Sequence, residues 1–205
     1  MKRITVKAPA KINLSLDILG KRADGYHFLR TVMHAIDLCD TIHISMTGSD
    51  IQILCDREDV PCDERNIAYK AAAAFFDQTQ ATQTGIRIQI DKTIPSQAGL
   101  GGGSADGAAV LVALNELYQT GLDTSKLQKI GALVGADIPF CITGGCALAE
   151  GIGEILSPIH AQLDCCFVVC KPEIGVSTAA AYNKFDEIGT VCRAISVCLI
   201  DLLVA

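Results

Sequence analysis

No apolar run in this chain of 205 residues reaches the ~18–20 residues that a helix needs to cross a bilayer. The nearest approach, Val191 to Ala205, is interrupted by Arg193 and Asp201, so no membrane partner is expected. Positive charge is also scarce: 17 lysines and arginines against 23 acids leave a net charge of −6. Nucleic-acid binding needs a basic face, so nucleic acid is not an expected partner, and any anion must be held locally. The ten cysteines form no paired C-x-x-C framework and the four histidines are scattered, which argues against a structural metal site. Several cysteines stand in apolar runs, as in Cys165-Cys166-Phe-Val-Val-Cys170, where a thiol serves as a small hydrophobe. The opening Met-Lys-Arg-Ile-Thr-Val-Lys reads as a short alternating strand and not as a signal peptide, so reduced thiols in a cytoplasmic protein are expected. No internal repeat is visible. Half the residues are apolar and a fifth charged, which is the composition of a globular chain with one good core, or one domain plus part of another.

The most informative stretch is Pro95-Ser-Gln-Ala-Gly-Leu-Gly-Gly-Gly-Ser-Ala105. Gly99, Gly101, Gly102 and Gly103 free the backbone for positive φ and for close approach of a ligand. Upstream, Ile86, Ile88 and Ile90 alternate with polar residues as in a half-buried strand. Downstream, Ala105 to Tyr118 contains no proline and carries Ala108, Leu111, Val112 and Leu114 for a buried helix. A helix beginning near Ser104 aims its unpaired N–H groups and positive dipole end into the loop, and a phosphate chain is the expected occupant. No Gly-Lys-Ser/Thr follows the glycines, which sets P-loop NTPases aside.

The rest of the chain reads as mixed α+β. Ile4 to Ile18 is strand with Pro9 between two extended pieces, Arg22 to Gly25 a hairpin turn, and Phe28 to Asp50 strand again. Asn66 to Phe76 and Ser125 to Val134 are helical, the second opened by an Asp-Thr-Ser cap. Cys141 to Glu150 and Cys165 to Lys171 are expected strands.

Two charged residues stand among apolar neighbours, where a charge usually has a partner. Lys11 lies between Ala10 and Ile12, and Asp137 between Ala136 and Ile138. Lys11 and Asn13 share one face of an extended chain. Asp137 falls just past a helix that Gly135 is expected to end. Lys11 and Asp137 are expected within salt-bridge reach beside the glycine loop. Asp106, in the expected first turn after the loop, either complements the helix dipole or approaches a metal; the first reading is preferred.

Four segments, in this order, resemble the signature segments of GHMP kinases: Pro-Ala-Lys-Ile-Asn-Leu-Ser-Leu (9–16), Arg-Ala-Asp-Gly-Tyr-His (22–27), Gly-Leu-Gly-Gly-Gly-Ser (99–104) and Gly-Ala-Asp-Ile-Pro (135–139). The resemblance runs from about Lys7 to Tyr182. It implies an N-terminal ATP-binding domain over 1–158, a mixed sheet with helices on one side, followed over 159–205 by an incomplete start of the C-terminal domain. It implies an ATP-dependent kinase acting on an alcohol, with Mg2+ expected alongside and its ligands unassigned. The Arg-Ala-Asp-Gly-Tyr-His segment narrows the implied substrate to a cytidine-diphosphate-linked methylerythritol, phosphorylated on its 2-hydroxyl in non-mevalonate isoprenoid biosynthesis.

By the same resemblance Asp137 is the general base and Lys11 its partner. Pro95, Ser96, Gln97, Ala98, Gly99, Leu100, Gly101, Gly102, Gly103, Ser104 and Ala105 cradle the nucleotide. Asn66, which also suits a helix cap, contacts the adenine. Asn13, Tyr26, His27 and Tyr182 contact the substrate, with Tyr26 and His27 at the cytosine end. After Tyr182 the resemblance fades. Residues 188–205 read either as an amphipathic helix or as the product of truncation or frameshift, the second being preferred. A surface left by a missing domain would favour self-association. Another GHMP small-molecule kinase, or a catalytically impaired nucleotide-binding fragment, are the competing readings.

Overall fold

A computed structural model describes residues 2–48, 50–79, 81–82, 84–160 and 165–188. Its frame is a long antiparallel hairpin, β1 (Arg3–Lys21) against β2 (His27–Met46), registered from Arg3 opposite Ser45 to Lys21 opposite His27. The turn between them is closed by Arg22 N–H donating to the Tyr26 carbonyl at 2.7 Å, with Gly25 at φ +89°. The register slips between Pro9 and Lys11, where proline has no N–H to give the ladder.

The far edge of β2 carries two pairs of strands. Its second half pairs with β4 (Ile86–Asp91), which lies parallel to β3 (Ile51–Cys55). Its first half pairs with β5 (Cys146–Gly151), itself antiparallel to β6 (Ile155–Pro158). The sheet is therefore mixed, with one parallel pair. Period-2 alternation sends Ile42, Ile44, Ile86, Ile88 and Ile90 to one face, where all are buried. Helices α1 (Ile67–Thr79), α2 (Gly102–Tyr118), α3 (Thr124–Ala132) and α4 (Ile138–Thr143) cover that face and share its core. The opposite face of the same strands is polar, with Lys7 reaching Thr41 and Arg87 reaching Gln52.

The helices begin where their sequences provide caps. Asn66 accepts from the Ala68 N–H at 2.8 Å and Asp123 from the Lys126 N–H at 2.8 Å. α2 is buried from Ala105 to Leu111 on nearly every side, which its alanines permit by letting neighbours approach closely. A fifth helix, α5 (Thr178–Ile188), follows. Among the described residues, no helix is long and apolar enough to cross a membrane.

Several expectations need correction. α2 starts at Gly102, ahead of Ser104, so Asp106 lies in its second turn. Cys141 to Thr143 do not begin a strand; they close α4, which Pro139 opens and Gly144 ends at φ +67°. Cys165 to Lys171 form no strand, because an alternating segment needs a neighbour to take its backbone hydrogen bonds and none of the described strands pairs with it. Cys165, Cys166 and Cys170 are accordingly exposed and do not act as core hydrophobes. α3 ends at Ala132, before Gly135, whose N–H donates back to the Gly131 carbonyl at 3.0 Å. The proposed tail helix or frameshift, from residue 189 on, lies outside the described residues.

Candidate active site

The glycine loop is held by β1 on one side and enters α2 on the other. Gln97, Gly99 and Gly101 take φ of +53°, +72° and +68°. Left-handed residues alternating with ordinary ones turn successive N–H groups toward one side, the arrangement that binds anions. The Lys11 N–H donates to the Leu100 carbonyl at 3.0 Å, and the Ala105 N–H closes the first helical turn on the Gly101 carbonyl at 2.8 Å. A Cβ on Gly102 would stand 3.1 Å from Ile94 Cγ2. Pro95, Ser96 and Ala98 are half-buried along the approach, Gly103 is exposed, and Ser104 follows in the first turn of α2. The carbonyl of Gln97 accepts from the Val176 N–H at 3.3 Å, which brings the segment before α5 onto the loop.

Asp137 occupies the N-cap position of α4, yet its side chain makes no cap hydrogen bond. Its Oδ2 lies 3.4 Å from Lys11 Nζ, with the lysine side chain 7% and the aspartate 31% exposed. The two expected partners therefore meet, the ammonium inside and the carboxylate partly open to solvent. Lys11 Nζ also donates to Asn13 Oδ1 at 2.7 Å. Asn13 Nδ2 donates to Thr31 Oγ1 at 2.7 Å, and Thr31 donates to the Ser15 carbonyl at 2.6 Å. This relay fixes the direction of the lysine. Nothing local in the sequence marks Thr31, whose hydroxyl is fully buried beside Val32 and Met33. Gly153, in the turn from β5 to β6, is a second omission. Its φ is +117°, and a Cβ there would come 3.7 Å from Asp137 Oδ1.

A second group forms at the turn end of the hairpin. His27 is buried and stacks on Tyr182, with ring centroids 4.8 Å apart and planes 12° from parallel. His27 Nε2 lies 2.7 Å from Asp186 Oδ1, and Lys21 Nζ donates to Asp186 Oδ2 at 2.6 Å. Lys21 and His27 together hold the Asp186 carboxyl below the usual carboxylate range. Burial, and then the negative charge of Asp137, push the Tyr182 phenol above its ordinary value, so the second group lies within electrostatic reach of the first. Tyr26 stands apart, 59% exposed on the turn. Asn66 spends both ends of its amide inside the chain, accepting from Ala68 and donating to the Pro61 carbonyl at 2.7 Å. Asp186 lies 159 residues from His27, and nothing local marks it.

Asp106, expected to complement the helix dipole in the first turn or to approach a metal, lies instead in the second turn of α2. It is buried against Lys92, whose Nζ donates to Asp106 Oδ2 at 2.8 Å and also to Asp40 Oδ2. Among the described residues, no three His, Cys, Asp or Glu side chains gather in a way that could hold a metal.

Residues 66–145, which span α1 through α4 and the glycine loop, match the model of the GHMP kinases N terminal domain. A solved 4-(cytidine 5'-diphospho)-2C-methyl-D-erythritol kinase is 31% identical, with a TM-score of 0.75 over 98% of this chain and 71% of that one. The chain belongs to the GHMP kinase family. Within it, the 4-diphosphocytidyl-2-C-methyl-D-erythritol kinase of Clostridium beijerinckii is 48% identical over 88% of this chain and 64% of its own length. That of Clostridium botulinum strain Hall is 50% identical over 87% of this chain and 63% of its own. This chain thus spans a little under two thirds of the curated relatives it matches.

Proposed function

We propose that this chain carries the nucleotide loop and reacting groups of a kinase that transfers the γ-phosphoryl group of ATP to the 2-hydroxyl of 4-diphosphocytidyl-2-C-methyl-D-erythritol. The observation that carries the reading is the Lys11–Asp137 pair, 3.4 Å apart and tied through the Lys11 N–H to the glycine loop. The named relatives supply the substrate.

The loop fits a polyphosphate: its left-handed turns present N–H groups, and Gly101 and Gly102 leave no room for side chains there. Pro95 to Ala105 would cradle the nucleotide. Mg2+, when bound with ATP, offsets charge on the transferring group, held chiefly by phosphate oxygens and water; we assign it no ligand from this chain.

Asp137 would orient the substrate hydroxyl and take its proton as the oxygen bonds to phosphorus and the bridging oxygen leaves with ADP. A carboxylate is a weak base for an alcohol. That suffices where the transition state is loose and the proton leaves late. Lys11, aimed by Asn13 and Thr31, would fix the carboxylate and face the charge on the phosphoryl oxygens. Most of the rate would come from placement and preset charge. His27 and Tyr182, with Tyr26 from the neighbouring turn and Asn13 nearer the hydroxyl, would receive the cytidine end, a stacked ring and an imidazole edge being suited to a base. Asn66 would border the adenine without a free side-chain donor for it, since both ends of its amide, its N–H and its carbonyl are engaged within the chain.

The test is ATP-dependent phosphorylation of 4-diphosphocytidyl-2-C-methyl-D-erythritol by this chain, with homoserine and mevalonate as alternative acceptors and Asp137→Asn as control. Turnover on the cytidyl substrate, lost in Asp137→Asn, is the expected result. Preference for another acceptor, or transfer that survives the substitution, would overturn the reading.

A further inference from the structure

Beneath the glycine loop lies a charged group that the transfer reaction, as derived above, leaves unused. Lys92 follows β4, Asp40 lies on β2, and Asp106 on the second turn of α2. All three side chains are almost wholly buried, and Lys92 Nζ bridges the two carboxylates. Lys92 Nζ is also 3.3 Å from where a Cβ on Gly102 would stand, so the group sits directly under the first residue of α2.

The two carboxylates are not equivalent. Asp40 is saturated: Oδ1 accepts from the Thr93 and Ile94 N–H groups at 2.6 and 2.8 Å, and Oδ2 accepts from Lys92. Three donors therefore share its two oxygens. Asp106 accepts only from Lys92 on Oδ2, and its buried Oδ1 has no hydrogen-bond partner. An ionised oxygen in that position is costly. With both acids ionised the group carries one net negative charge, directly under a loop built to receive a polyphosphate. One proton makes it neutral.

We infer that Asp106 is the proton-exchanging member of this buried triad, and that seating a polyphosphate on the glycine loop draws a proton onto it. The inference rests on the nucleotide reading above. Asp106 thereby acts as a positioning residue for the loop: protonated, it relieves repulsion of the incoming anion and leaves Lys92 bound to Asp40, whose grip on the Thr93 and Ile94 amides holds the entry to the loop.

The charge balance of the site supports this. Burial pushes the Asp106 carboxyl up to about 7, against the pull of Lys92 and with a further push from Asp40. Burial draws the Lys92 ammonium down, but attraction to Asp106 and Asp40 outweighs it and holds the group above its ordinary value. The other elements around α2 contribute little charge of their own. β1 presents Lys11, turned toward Asn13 and Asp137. α4 presents Cys141, whose thiol burial pushes up to about 12, so that it stays neutral. α1 presents Ile67 and Ala71.

Calorimetric titration of ATP into the chain and into Asp106→Asn, at pH 6 to 8.5 in buffers of differing ionisation enthalpy, reads the linkage. Protons exchanged by ATP itself are common to both proteins and cancel in the difference. The wild-type chain is expected to take up as much as one additional proton above pH 7, with affinity falling toward about tenfold per pH unit relative to Asp106→Asn. Equal proton uptake and equal pH slopes would overturn the inference while leaving the nucleotide reading intact. Absence of ATP binding to both folded chains would overturn the two together. Should Asp106→Asn not fold, infrared difference spectra of the wild-type chain decide: a protonated-carboxyl band appearing with ATP at pH 8 supports the linkage, and its absence refutes it.

Discussion

Gly101 lies against the side chain of Lys11: a Cβ at the glycine would stand 2.9 Å from the lysine Cγ. The residue that shapes the anion loop and the residue that faces Asp137 therefore constrain each other sterically. Gly101→Ala meets that contact and a φ of +68° at once. Each is a recognised source of strain, and together they should cost about 1–3 kcal/mol. Denaturant titration measures the loss; a midpoint unchanged from wild type would show that the loop absorbs the methyl group freely.

Replacing either partner of the proposed reacting pair should reduce turnover and leave the fold intact. For Asp137→Asn the loss of a positioned base corresponds to roughly 10²–10⁴-fold in kcat. Lys11→Met should fall at least as far in kcat, with the circular dichroism spectrum unchanged. A Lys11→Met chain within a factor of three of wild type would remove the lysine from the mechanism.

Thr31→Val keeps shape and breaks the relay from Lys11 through Asn13 to the Ser15 carbonyl. Leaving buried partners unpaired costs about 1–3 kcal/mol. The kinetic signature is a lower kcat with little change in KM for ATP, because the lysine loses direction and the glycine loop does not. A rise in KM for ATP alone would point to the loop instead.

Acid stability follows from Asp106. Its carboxyl is raised from 3.8 to about 7 in the folded chain, so between those values the folded state binds more proton than the unfolded one. Its contribution is fully present below about pH 4 and is lost progressively as pH rises to 7. Asp106→Asn should therefore flatten the fall in stability over this window, by an amount on the order of a few kcal/mol. Thermal melts at pH 5 and pH 8 measure it; a wild-type chain whose relative stability improves across that range would contradict the sign.

Thiol reactivity should divide by environment. Cys141 is half-buried and its thiol is pushed up to about 12 by burial and by Asp137, whereas Cys62, Cys165, Cys166 and Cys170 are exposed. Alkylation at pH 8 followed by mass spectrometry should mark the exposed four and spare Cys141 until the chain is unfolded. Labelling of Cys141 at the rate of Cys62 would sink the assignment.

What could be read from sequence was what is encoded locally. The glycine loop, the alternation of Ile86, Ile88 and Ile90, and the isolation of Lys11 and Asp137 among apolar neighbours each announce themselves within a few residues. α4 did not, because six residues are too few to display a helical period. Its cysteine and isoleucine looked like the start of β5. Asp106 reads locally as a helix-start carboxylate drawn to the dipole; Lys92 and Asp40, distant in sequence, bury it instead. The Asp186 contacts with Lys21 and His27 join opposite ends of the described chain, and Thr31 acquires its role only once the hairpin register is set. Alternation in Cys165 to Lys171 promised a strand that has no described neighbour to complete it.

The hairpin has one more consequence. Among the described residues β1 pairs with β2 alone, so one margin of a 19-residue strand offers backbone groups to any extended chain that arrives. Such margins seed sheet-to-sheet aggregation unless they are blunted. Here Lys2, Arg3 and Lys7 charge the first stretch, Pro9 withholds a donor, and the carbonyl of Leu100 occupies the next amide, that of Lys11. The loop that would grip a phosphate chain thus also serves as a stopper on the sheet, and a variant that frees it should become sticky before it becomes unfolded.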